Sequence, residues 1–211
     1  MSTTVIFFLG LVIALVGVIP PGLLNMTAAK ISLKEGHNRG FVFSIGVCLI
    51  VFLQTYIAAM FARYLSNHPQ TVEVLRGVAF VIFVLLAIYF IFLSKPNPKP
   101  NIEPHAKSKK SRFFQGLFLS AINVFPIPYQ AYMTITIAGF GWFAFDAMSI
   151  ITYCSGAVTG TFVMLYVYIF FFDKISNKKM TSQKNMNYII GAITAIVALI
   201  TLINILIDQL K

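Results

Sequence analysis

With 58% hydrophobic and 10% charged residues and a mean hydropathy of +0.84 over 211 residues, the chain lacks the polar surface of a soluble globular protein, where roughly a quarter of residues are charged. Apolar runs recur along its whole length, which excludes a soluble domain on one anchor, since each crossing takes roughly 20 apolar residues. The net charge of +10 sits in loops between those runs, and no stretch interleaves basic and aromatic residues as a nucleic-acid face would.

Six apolar segments follow in chain order. The first runs from Val5 into the 20s and is broken in its second half by Pro20-Pro21-Gly22. It has no positive n-region and no A-x-A cleavage pattern, so it reads as a retained helix and not a signal peptide. The second covers about Gly40–Ala62, with Gln54 and Thr55 placed to line a cavity or to bond between helices. The third covers about Gly77–Ser94. A linker at 95–112 carries Pro96, Pro98, Pro100 and Pro104, which exclude a helix, and lysines that keep it solvated. It reads as a positive topological determinant, with anionic lipid headgroups as the other reading, and it divides the chain into halves at 1–94 and 113–211.

The fourth segment starts near Phe113 and continues past Pro126 and Pro128 to about Ala138. A tight outer turn, Gly139-Phe140-Gly141-Trp142, follows. The fifth covers about Ala147–Phe172. Its Gly156 and Gly160 have the spacing for close helix approach, read as packing within the bundle, with a homodimer contact as the alternative. Tyr166, Tyr168 and Phe170–Phe172 read as an interfacial anchor at its inner end. The sixth covers about Asn187–Ile207.

Of the 16 basic residues, only Arg63, Arg76 and Lys211 fall outside the three odd-numbered loops. The positive-inside rule then places those loops in the cytoplasm and both termini outside. The fold expected is an all-α membrane protein: six transmembrane helices arranged as two inverted three-helix repeats in the cell membrane.

Charges at the bilayer centre cost at least about 2.5–3.5 kcal/mol, and Glu73, Asp146, Asp173 and Asp208 all fall near segment ends. That disfavours a mid-membrane carboxylate relay. No cluster of His, Cys and carboxylates points to a metal, no Ser, His and acid set to nucleophilic catalysis, and no loop to ATP. No cofactor and no enzymatic activity are therefore expected. Cys48 and Cys154 lack CxxC spacing and read as buried apolar residues.

Two broken helices carry the functional reading. Pro20-Pro21-Gly22 lies upstream of Asn25, and Asn123 lies upstream of Pro126, Pro128, Tyr129 and Gln130. Proline frees backbone carbonyls, and in lipid such backbone belongs in the protein interior or a water-filled cavity. The breaks fall in the first segment of each half, and because three is odd the halves run in opposite directions. Paired interruptions of this kind point to a transporter binding site. The alternative is a pair of ordinary kinks satisfied by neighbouring helices. The candidate substrate-binding set is Pro21, Gly22, Asn25, Gln54, Asn123, Pro126, Pro128, Tyr129 and Gln130.

On these residues the chain resembles the lysine exporter (LysE/RhtB-type) family of amino-acid exporters. Pro21-Gly22 matches the first two positions of that family's motif ending helix 1, Gly36 and Gly40 match the glycines before helix 2, and Gly116 and Asn123 match the second motif. Leu23, Leu24, Val124 and Phe125 depart from it, as do Ile50 and Val51 where many members carry Gly-Asp, which implies a less charged cavity. The resemblance implies a secondary exporter of amino acids or related small metabolites working by alternating access. A membrane thiol–disulfide carrier built on Cys48 and Cys154, and a non-transporting scaffold, are the competing expectations.

Overall fold

A computed structural model describes residues 1–19, 22–68, 80–81, 84–85, 87–93, 108–175, 192, 195, 198–199, 202–203 and 206. Pro20 and Pro21, the linker at 95–107, the loop at 176–184 and most of the third and sixth expected segments lie outside the described residues. Among the described residues there are helices and turns and no strand. The chain divides into two compact units, Met1–Ser66 with Pro104–Ile175, and Asn67–Glu103 with Ser176–Lys211. In the second unit Tyr89–Leu93 forms a π-helical turn, and Ala87 and Ala198 are buried.

The first unit holds six helices among its described residues: α1 (Thr3–Val18), α2 (Leu23–Glu35), α3 (His37–Ser66), α4 (Lys109–Ile122), α5 (Pro126–Gly139) and α6 (Ala147–Ile175). Their ends follow from local chemistry. Ser2 and Ser108 accept backbone N–H groups at the starts of α1 and α4. Gly36 ends α2 at a φ of 91°, a conformation that disfavours a side chain and lets α3 begin one residue later. Pro126 opens α5 at its first position, where a missing N–H costs nothing.

Two helices, His37–Ser66 and Ala147–Phe171, are long and apolar enough to cross a bilayer, and α1 with α2 qualifies as one bent pair whose axes turn by 79°. Apolar side chains also face outward. Phe8, Val12 and Val16 on α1, and Leu49, Leu53 and Ile57 on α3, are about half exposed, as suits a lipid-facing surface.

The fourth expected segment is interrupted near its prolines, with α4 ending at Ile122 and α5 starting at Pro126. It differs in beginning at Lys109, so Lys109–Arg112 form a helical turn in which Lys109 and Lys110 are exposed. Arg112 is 5% exposed.

Helix packing in this unit is set by glycine. α1 lies along α6, and α4 lies along α3. A Cβ on Gly10 would strike the carbonyl of Tyr153, and one on Gly156 that of Phe7. The other pair repeats the pattern: a Cβ on Gly116 would strike the carbonyl of Phe43, and one on Gly46 that of Phe113. Gly160 meets Leu11 in the same way, which answers the GxxxG expectation with packing inside the unit. Register runs upward on both partners. Phe7 sits by Gly156 and Leu11 by Gly160, while Phe43 sits by Gly116 and Val47 by Ser120. Both pairs are therefore parallel.

Candidate functional site

Each break leaves carbonyls at the end of a helix, and side chains from other helices take them up. At the end of α1, Asn25 Nδ2 donates to the Val18 carbonyl at 2.7 Å and the Tyr168 hydroxyl to that of Ile19 at 2.8 Å. Asn25 is 3% exposed and also bonds Tyr168. Gly22 stands just before α2 in extended backbone with no side-chain cap. At the end of α4, Gln54 Nε2 donates to the carbonyls of Ser120 (3.0 Å) and Asn123 (2.9 Å). These four carbonyls are thus satisfied inside the protein, as a lipid environment demands.

Two further side chains tie the second break to neighbouring helices. The Tyr129 hydroxyl donates to the Ile13 carbonyl on α1 at 2.8 Å. The Tyr153 hydroxyl donates to Gln130 Oε1 at 2.6 Å, joining α6 to α5, and Gln130 is 3% exposed. Gln54 Oε1 and the Thr55 hydroxyl oxygen are buried without a hydrogen-bond partner among the described residues.

Placement of the expected site residues is mixed. Gly22, Asn25, Gln54, Asn123, Tyr129 and Gln130 all lie at or against the breaks, whereas Pro21 lies outside the described residues. Asn123 takes part through its backbone carbonyl as the C-cap of α4. Pro126 and Pro128 do not unwind the chain. They start α5, the irregular backbone is the stretch 123–125 upstream, and Pro128 is exposed. Neither proline has an N–H, and those of Ile127 and Tyr129 bond to Val124 and Phe125, so the first turn of α5 offers little to a carboxylate.

Sequence reasoning missed Tyr153 and Tyr168. Tyr168 read as an interfacial anchor, yet it is 3% exposed, while Tyr166 is open and lies tilted against the Phe170 ring. Tyr168 lies two residues from Tyr166, about 200° round the helix, which is the signal that would have separated them. Cys48 and Cys154 are buried and free, and no metal-holding group of His, Cys, Asp or Glu lies among the described residues.

The two ends of α6 differ in chemistry. Ser149 and Ile169 are about 30 Å apart along the helix at 1.5 Å per residue, a bilayer's hydrocarbon thickness. At the Ile169 end, Ser32 bonds the Ile169 carbonyl and His37, and His37 stacks on Phe170 at 4.4 Å. Beside them Glu35 takes a two-pronged contact from Arg112, through Nε at 2.9 Å and through its terminal nitrogen. At the other end a cavity of about 340 Å³ is lined by Thr3, Ile6, Trp142, Asp146, Ser149 and Thr152 among others. Ser149, through its side chain and its N–H, holds the Asp146 carboxyl below the usual carboxylate range.

Gln54→Leu is expected to lower stability by about 1–3 kcal/mol, because the Asn123 carbonyl loses its donor while that of Ser120 keeps the Asn123 N–H. Thr55→Val, isosteric and without a bond to lose, is expected to be neutral or slightly stabilising. Thermal unfolding of the detergent-solubilised variants checks both, and equal losses would contradict the account of the break.

A family model described as LysE type translocator matches residues 15–204. No curated protein and no solved structure matches the chain.

Proposed function

The chain belongs to the LysE type translocator family, a family of membrane transporters of amino acids or related compounds, and on that footing we propose that it exports such a solute by alternating access between two inverted three-helix halves. The observation that carries this reading is the pair of breaks, α1/α2 and α4/α5, whose carbonyls are held by side chains of α2, α3 and α6. Two broken helices in corresponding positions are what a midplane solute site is built from.

Three further features support it. The glycine contacts of α1 with α6 repeat in those of α4 with α3, and parallel pairing of these helices is what two inverted halves require. Lys30, Lys34, Arg39, Lys109 and Lys110 belong to the end of this unit that holds Arg112, and Thr3 to the cavity end. Under the positive-inside rule that supports a cytoplasmic basic end and an outside N-terminus. Gln54 Oε1 and the Thr55 hydroxyl, buried acceptors without a partner among the described residues, fit a site that a donor on the solute completes. In this reading the solute path runs between Asn25 at the first break and Gln54, Tyr129 and Gln130 at the second, and Gly22 and Asn123 contribute backbone.

The test is efflux from proteoliposomes loaded with a panel of amino acids and related metabolites. Asn25→Ala is expected to reduce efflux of the transported solute by roughly tenfold, about 1.4 kcal/mol, while the protein stays monodisperse. The double variant C48A/C154A is expected to transport normally, which a thiol–disulfide carrier would not. If no solute in the panel shows efflux that depends on Asn25, the exporter reading fails.

A further inference from the structure

Glu35 closes α2 and Arg112 lies in the first turn of α4, 77 residues away in sequence, yet each side chain is only 6% exposed and they are paired. α2 and α4 meet at little else. The ion pair is therefore the main direct tie between these two helices, one from each of the proposed halves, which otherwise meet through α3: Ala28 and Ile31 of α2 and Leu119 of α4 share one core with its Phe43, Val47 and Val51.

Each charge also has a partner on its own side. Arg39 Nε lies 3.9 Å from Glu35 and its guanidinium donates to the Glu35 carbonyl at 2.9 Å. Gln115, one turn along α4, accepts from Arg112. Each group thus keeps one partner when the bridge opens and water enters, though these partners do not replace the lost charge while the site stays dry. A buried pair is held strongly only while water is excluded, and once wet it is worth about 0–1 kcal/mol. The contact is thus bistable: dry and closed, or hydrated and open.

The corresponding place at the other end is different. Arg112 precedes Phe113 as Ile6 precedes Phe7, and Phe113 and Phe7 make matching contacts with Gly46 and Gly156. Ile6 carries no charge and lines the open cavity of about 340 Å³. One end carries a buried ion pair at this position, and the other an uncharged residue beside a cavity.

From this we infer that Glu35 and Arg112 form the latch that closes the cytoplasmic side of the transport path. The inference rests on the alternating-access reading of the previous section. Releasing the latch opens the basic end while the cavity end closes.

Hydrogen–deuterium exchange on the full chain, without any solute, tests it independently of transport. Glu35→Gln and Arg112→Gln are each expected to speed exchange at least about tenfold in residues 28–36 and 109–117. The same variants are expected to slow it in 143–152 at the cavity end, a reciprocal change that a merely structural ion pair would not produce. The charge swap E35R/R112E, made with Arg39→Gln so that no like charge faces position 35, is expected to restore the native pattern, and it supplies the readout should a single variant misfold. Unchanged exchange at the basic end, or faster exchange there with none slowed at the cavity end, overturns the latch. Efflux by a protein with unchanged exchange removes the latch alone. Reciprocal exchange with no efflux of any solute removes the export reading and leaves the latch.

Discussion

Gly156→Val and Gly116→Val are expected to yield little or no folded protein. A Cβ at either position meets a backbone carbonyl of the facing helix, that of Phe7 for Gly156 and that of Phe43 for Gly116. Backbone cannot rotate away as a flexible side chain can, so the two helices must separate along their length. Overpacking of a well-filled core costs about 1–3 kcal/mol and sometimes more, and here the whole α1–α6 or α4–α3 interface opens. Folding stabilities are typically about 5–15 kcal/mol, so such a loss at the centre of the unit is severe. Gly139→Ala is the contrast, because nothing lies within 4 Å of its added methyl. Monodisperse yield by size-exclusion chromatography should fall for the two valine variants and hold for Gly139→Ala. Equal yields would mean that the close crossings do not organise the unit.

Arg112→Met alone should destabilise the protein by about 3–5 kcal/mol, because it leaves the Glu35 carboxylate buried beside a lost partner. Arg39 offsets part of this, at 3.9 Å from Glu35 and with its own side chain 34% exposed. Replacing both partners, E35L/R112M, removes the charge to be desolvated along with the attraction, and such double replacements are often neutral or stabilising. Thermal unfolding of the three proteins separates the cases. A single variant as stable as the native chain would show that the pair is hydrated and contributes nothing. A double variant as unstable as the single would show that the pair itself, and not the stranded charge, sets the stability.

The breaks were legible in the sequence because proline and glycine act locally. Pro126 cannot lie in a helix interior without removing a bond, so an interruption near it follows from residue type alone. The placement of the irregular backbone one to three residues before Pro126 was not legible from type alone, since proline is equally content at the first position of a new helix. The partners of the freed carbonyls were only partly legible. Gln54 was identified as a polar residue in an apolar run, but its bonds to Ser120 and Asn123 span 66 and 69 residues, and no periodicity encodes such a separation. Arg112 was counted with the loop lysines because in sequence it is one more basic residue. Its burial depends on Glu35 arriving from α2.

The sequence by itself determined the membrane environment, the helical class and the two interruptions. Those follow from composition and from backbone chemistry that each residue carries wherever it sits. Tertiary structure decided which helices touch, because Gly10, Gly46, Gly116 and Gly156 permit contact without naming the partner. It also decided which polar groups face inward, separating buried Tyr168 from exposed Tyr166 on one helix. And it decided that the two ends differ, an ion pair at one and a cavity at the other. The physical reason is that a hydrogen bond or an ion pair belongs to two residues at once, and only the fold chooses the second.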